Sequence, residues 1–191
     1  MSYAELTLSG WWDLSDEDAR RTAAAIARGV DARLVGVGSH AYAGRSGRVA
    51  FFERDGLRYA LVPGGTVRLG FDADRFTAGD EWEHSCAAGA TGLFRWGDEY
   101  PETGPYGELP LIREPNLFGL VIGDDPYRAE FTTDPVVLCG GDGGSALCGG
   151  YGSFLSWLTL AAAYRDPDLA EALHEGGLIG ETPVRPVLAI P

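Results

Sequence analysis

R-F-T-A-G-D-E-W-E-H-S-C-A-A-G-A-T-G-L-F-R-W-G-D-E, Arg75 to Glu99, sets an acid-aromatic-acid triplet, a run of small residues and a second aromatic cluster into one segment. The pattern predicts a short helix from Gly79 to about Ala88 with Trp82 turned inward, then a loop that Phe94 and Trp96 pin to the same core. The rest of the chain suits such a loop-rich arrangement. Twenty-eight glycines, eleven prolines and five tryptophans are too many punctuating residues for a helical bundle, and they predict turns and short strands held by aromatic anchors. With 191 residues, 45% of them hydrophobic, the chain is expected to form one domain with a core of its own.

The formal charge of −13 argues against nucleic-acid or anionic-membrane partners, which need clustered Lys and Arg. No window approaches the roughly 18 apolar residues of a membrane span, and Met1 to Asp18 has neither a basic start nor a long apolar run. A cytoplasmic location is therefore expected. Three cysteines, Cys86, Cys139 and Cys148, are then expected as reduced thiols.

Toward the N-terminus, residues 15–28 read as a helix. Ser15 and Asp18 have capping-box spacing, the acids of the first turn suit the helix dipole, and Gly29 is expected to end it. Its buried stripe would be Ala19, Ala23, Ile26, Ala27 and Val30. A short strand is expected at Leu34 to Val37, followed by a polar loop from Ser39 to Gly47. Gly36 to Ala41 spells G-x-G-x-x-A, but without the following helix of a dinucleotide fold. Asp55-Gly56, between Val49–Arg54 and Leu57–Val62, is a two-residue hairpin turn. Beyond Pro63-Gly64-Gly65 a strand is expected to resume over 66–70.

Glu81-Trp82-Glu83 and Leu93-Phe94-Arg95-Trp96-Gly97-Asp98-Glu99 resemble two signatures of the formylglycine-generating enzyme (sulfatase-modifying factor) family, with Arg75 in register with the first. Val62 to Gly70 resembles its opening strand. Pro115-Asn116-Leu117-Phe118-Gly119-Leu120, Glu130-Phe131-Thr132-Thr133-Asp134, Asp142-Gly143-Gly144-Ser145-Ala146-Leu147-Cys148, Ala163-Tyr164-Arg165 and, loosely, the closing 180–190 resemble later motifs. The resemblance implies an irregular, loop-rich α+β fold of the C-type lectin-like kind over 59–190, with 1–58 as an N-terminal extension. Only Phe71 to Asp74 separate the opening strand from the Arg75 motif, where the family has a much longer insertion that shapes its substrate groove.

In that family two cysteines at C-x4-C spacing hold copper(I), since soft thiolates suit it, and the metal activates oxygen to oxidise a substrate cysteine. The first position matches Cys148 and the second falls on Ser153, a hard, neutral ligand. The expectation is thus a divergent relative without the oxidase activity and without a cofactor. It would bind a peptide or small ligand on a surface lined by Ser145, Tyr151, Ser153 and Trp157, or serve as an accessory protein. The alternative is a copper-dependent oxidase, or another cysteine-dependent enzyme, using Cys139 and Cys148 from the glycine-rich segment. Zinc is poorly served, because His40, His84 and His174 are far apart and no H-E-x-x-H or paired C-x-x-C occurs. Nucleophile-elbow and phosphate-loop motifs are also missing. Glu114-Pro115-Asn116 spells a lectin calcium tripeptide but lacks the companion W-N-D, and Glu81 and Glu83 suit hydrogen-bonding roles beside Trp82.

Overall fold

The computed structural model describes residues 6–65, 80–102, 109–132, 134, 136–176 and 182–190. Expectations for 66–70, for Arg75 and for residues 71–79 lie outside them. The chain is mixed α+β with small antiparallel sheets. It divides into two compact units, one of Met1–Thr66, Leu117–Leu120 and Pro186–Pro191, the other of Val67–Asn116 and Val121–Arg185.

The first unit opens with α1 (Leu8–Asp13), capped by the Thr7 hydroxyl on the Gly10 amide, and α2 (Asp16–Gly29). Ser15 caps α2 by accepting from the Asp18 amide at 3.1 Å and donating to the Asp18 carboxylate. Of the expected stripe, Ala19, Ala23, Ile26 and Ala27 are buried. Gly29 is the last helical residue, and the chain reverses at Asp31 (φ 52°), beyond which the Ala32 amide reaches back to the Ala27 carbonyl. The alanines let α2 lie close on a three-stranded meander of β1 (Arg33–Tyr42), β2 (Arg45–Arg54) and β3 (Leu57–Ala60).

The polar loop expected over Ser39 to Gly47 is instead the turn end of a further hairpin, the first in the chain. β1 continues to Tyr42, turns through Ala43 (φ 49°) and Gly44 (φ 74°), and pairs with β2 from Tyr42↔Arg45 back to Arg33↔Glu53. The Asp55-Gly56 turn forms as read, with φ of 53° and 77°. Trp11, Ala50, Phe52 and Leu61 complete the core beneath α2, with Ile190 packed against it. The Trp11 indole donates to the Arg48 carbonyl at 2.8 Å, tying α1 to β2.

In the second unit α3 (Asp80–Ala87) occupies the expected helix and ends where Ala88 and Gly89 take positive φ. The loop after it closes on itself: Phe94 and Gly97 exchange backbone hydrogen bonds, and the Asp98 carboxylate accepts from the Leu93 amide. Phe94 stacks on Trp96 at 4.9 Å, and both meet Trp157 edge-on over Ile112, Leu160 and Ala161. Buried Arg95 donates to the carbonyls of Leu111, Ile112 and Glu114, and so clamps the 3₁₀ turn Pro110–Ile112.

A two-stranded sheet, β4 (Ala129–Phe131) with β5 (Leu138–Gly140), leads to three short helices, α4 (Ser145–Cys148), α5 (Ser153–Leu158) and α6 (Pro167–His174). Asp166 caps α6 through the Leu169 amide. Residues 163–165 contribute a single bridge, Cys139↔Arg165, and described residues 182–190 hold no strand, although the Phe131 amide bonds the Pro183 carbonyl. No helix of the described residues is long and apolar enough to cross a membrane.

Candidate functional site

Polar side chains from segments far apart in sequence meet inside the second unit. Trp82 of α3 donates its indole N–H to Glu130 of β4 at 3.1 Å. The Arg185 guanidinium grips the same carboxylate through two nitrogens, at 2.6 and 3.1 Å. Glu83, next along α3, pairs with Arg165 at 3.1 Å, and both are largely withdrawn from water. Asn116, fully buried, donates to the carbonyls of Ser85 and Cys86 at the end of α3. Glu83 and Asn116 thereby act as structural anchors. Buried charge is tolerated here because each carboxylate has a guanidinium and each guanidinium further oxygen acceptors.

This framework carries the glycine-rich segment 139–152. The Asp142 carboxylate accepts from the amides of Gly144 and Ala146 at 2.8 and 2.7 Å, which fixes the start of α4. Two glycines are needed for close approach. A Cβ on Gly141 would lie 2.1 Å from the Pro126 carbonyl oxygen, and one on Gly144 would lie 2.0 Å from the Tyr127 ring. The ring rests where a side chain at 144 would be, and its hydroxyl lies 3.3 Å from the Cys148 sulfur.

The residues expected to line a ligand surface divide. Tyr151 is 65% exposed and Ser145 is exposed. Ser153 is half-buried and donates to the Pro101 carbonyl. Trp157 is 1% exposed and belongs to the aromatic core, so its inclusion in the lining is corrected: its ring is consumed by packing against Phe94 and Trp96. Two apolar side chains not singled out from sequence, Phe154 and Leu155, stand on the exposed side of α5, and Phe154 leans on Tyr100 at 5.5 Å. Helical spacing could have found them, because burying Trp157 and Ser156 turns 154 and 155 outward.

All three cysteines are free. Cys139 is buried in β5 opposite Glu130, and burial pushes its thiol up to about 12, with Arg165 opposing the shift. Cys86 is likewise pushed up to about 12 by burial. Cys148 alone is exposed, at the end of α4. Cys148 is a thiol and Ser153 a hydroxyl already engaged with a carbonyl, so the two do not supply a pair of thiolates. Among the described residues, no group of three or more His, Cys, Asp and Glu side chains is arranged to hold a metal ion.

Comparison of the chain with protein-family models, curated proteins and solved structures returns no match.

Proposed function

We propose that residues 59–190 are a shortened domain of the formylglycine-generating, C-type lectin-like type that has lost the oxidase activity and binds a peptide or small ligand in the cytoplasm. One observation supports the ancestry above others. Residues from separate resembling motifs are one another's buried partners: Trp82 with Glu130, Glu83 with Arg165, and Asn116 with the last carbonyls of α3. Such pairing is what a framework shared by those motifs would require.

The ligand surface would draw on the exposed side chains of Tyr151, Phe154 and Leu155 together with the exposed Cys148 and Ser145. Solvent-facing aromatics offer large contact area at small entropic cost, and a hydroxyl and a thiol at the edge supply polar contacts. Selection of a displayed peptide library on the full chain tests this reading. Enrichment lost in a Tyr151→Ala, Phe154→Ala double variant supports it, and enrichment unchanged by that variant removes it.

The exposed Cys148 thiol favours a second reading, the copper-dependent or other cysteine-dependent enzyme with Cys139 as partner. Copper(I) titration under reducing conditions separates the two. A one-to-one complex lost in both Cys148→Ala and Cys139→Ala supports the enzyme, and no binding removes the copper form of it.

A further inference from the structure

A pocket of about 320 Å³ lies within the first unit, between the two N-terminal helices and the β1–β2 hairpin. This is the lower end of the size that small-molecule sites occupy, roughly 300 to 1,000 Å³. Its charged and polar wall comes from Asp16, Arg20, Ser39, Ser46 and Arg48, and its aromatic wall from Trp12.

The strand register explains the polar wall. Ser39 is paired with Arg48 and Ala41 with Ser46, so by alternation Ser39, Ser46 and Arg48 share one face of the hairpin. Val37 and Ala50 continue that face into the apolar core. At 39, 46 and 48 the face changes abruptly from apolar to hydroxyl and guanidinium.

The aromatic wall is also built. Trp12 lies so close to Gly47 that a Cβ there would come within 2.8 Å of the indole, so glycine is what allows the ring this position. Its Nε1 is shielded from solvent and has no hydrogen-bond partner. A donor left in that state costs about 1 to 3 kcal/mol unless something accepts from it.

Charge gives the sign of the ligand. Two guanidiniums face one carboxylate, in a chain whose formal charge is −13. Arg48 is largely committed: it holds Asp16 at 3.1 Å and the carbonyls of Leu14 and Ser15. Arg20 is exposed and makes no ion pair among the described residues.

We infer that this pocket binds a small organic anion, a carboxylate or a phosphate monoester, with the anionic group on Arg20 and the two serine hydroxyls and a flat apolar part on Trp12. It is independent of the ligand surface in the second unit. Guanidinium-to-oxyanion hydrogen bonds are the strong, charge-assisted kind, and an indole face accepts a planar group at little entropic cost.

Isothermal titration of the full chain with benzoate, phenyl phosphate and neutral benzyl alcohol tests the assignment, with tryptophan fluorescence as a second readout. Saturable binding of at least one anion at millimolar concentration, and none of the alcohol, is expected. Which anion binds more tightly tells a carboxylate site from a phosphate one. Arg20→Gln, at an exposed position that the fold does not need, is expected to weaken binding about tenfold. Trp12→Phe is expected to abolish the fluorescence change while circular dichroism stays native. The inference fails if neither anion binds, if the alcohol binds as well, or if Arg20→Gln leaves the dissociation constant unchanged.

Discussion

Replacing Glu130 by alanine removes the acceptor on which Trp82 and Arg185 converge. The carboxylate is 7% exposed and takes three hydrogen bonds, one from the indole and two from the guanidinium. The variant leaves a buried indole N–H without an acceptor and a guanidinium that keeps only the Val121 carbonyl. Breaking a buried pair from one side costs about 3 to 5 kcal/mol. The Arg185 side chain is 33% exposed and is partly rescued by water, which puts the expected loss near the bottom of that range, about 3 kcal/mol. Glu130→Gln keeps one oxygen, which the indole and Arg185 Nε already share, but loses the charge and sets an NH2 against the second guanidinium nitrogen, so a smaller loss than that of the alanine variant is expected. Glu53→Ala is the control, because Arg33 and Glu53 are exposed and such pairs contribute at most about 1 kcal/mol. The assay is urea unfolding followed by tryptophan fluorescence, read as a shift in midpoint at unchanged slope. A Glu130→Ala loss no larger than that of Glu53→Ala would refute the claim that this carboxylate organises the second unit.

Thiol labelling at neutral pH is expected to modify Cys148 rapidly, and Cys86 and Cys139 only after denaturant is added; three equal rates would contradict their burial. The same two thiols set a pH dependence. Their folded values are raised from 9.0 to about 12, so the unfolded chain releases protons first, and stability is expected to fall as pH climbs from about 9 toward 12, a trend that Cys86→Ala, Cys139→Ala should flatten. Gly141→Ala drives a Cβ into the Pro126 carbonyl and is expected to cost more than about 2 kcal/mol in denaturant melts, since backbone on both sides has to move. Trp157→Ala is expected to lose about 3 to 5 kcal/mol by emptying the aromatic core, whereas Tyr151→Ala should stay within about 0.5 kcal/mol of the parent protein.

Where local chemistry is strong the sequence is readable. Ser15 and Asp18 announce the start of α2, and Asp55-Gly56 announces a turn in which both residues need positive φ. The first hairpin was hidden because Ala43 occupies a left-handed position that alanine seldom takes, and because Ser39, Ser46 and Gly47 dilute the alternation expected of strands. α1 was hidden by its brevity, one and a half turns carried by the Thr7 cap and by Trp11 in the core. In the candidate site, the buried companions of Trp82 and Glu83 lie roughly 50 and 80 residues away, a separation over which no local pattern operates. Trp157 illustrates the opposite error: an aromatic residue just beyond a glycine-rich stretch looks like a ligand wall until its neighbours show it is a wedge in the interior.

The β1–β2–β3 meander joins neighbours in sequence through two turns of two residues each. Its register can therefore be set by local search, with very little chain to close and no distant segment to wait for. Once Ala60 has left the ribosome every strand of that sheet has been delivered, so rapid zippering during synthesis is the kinetic behaviour this topology encodes.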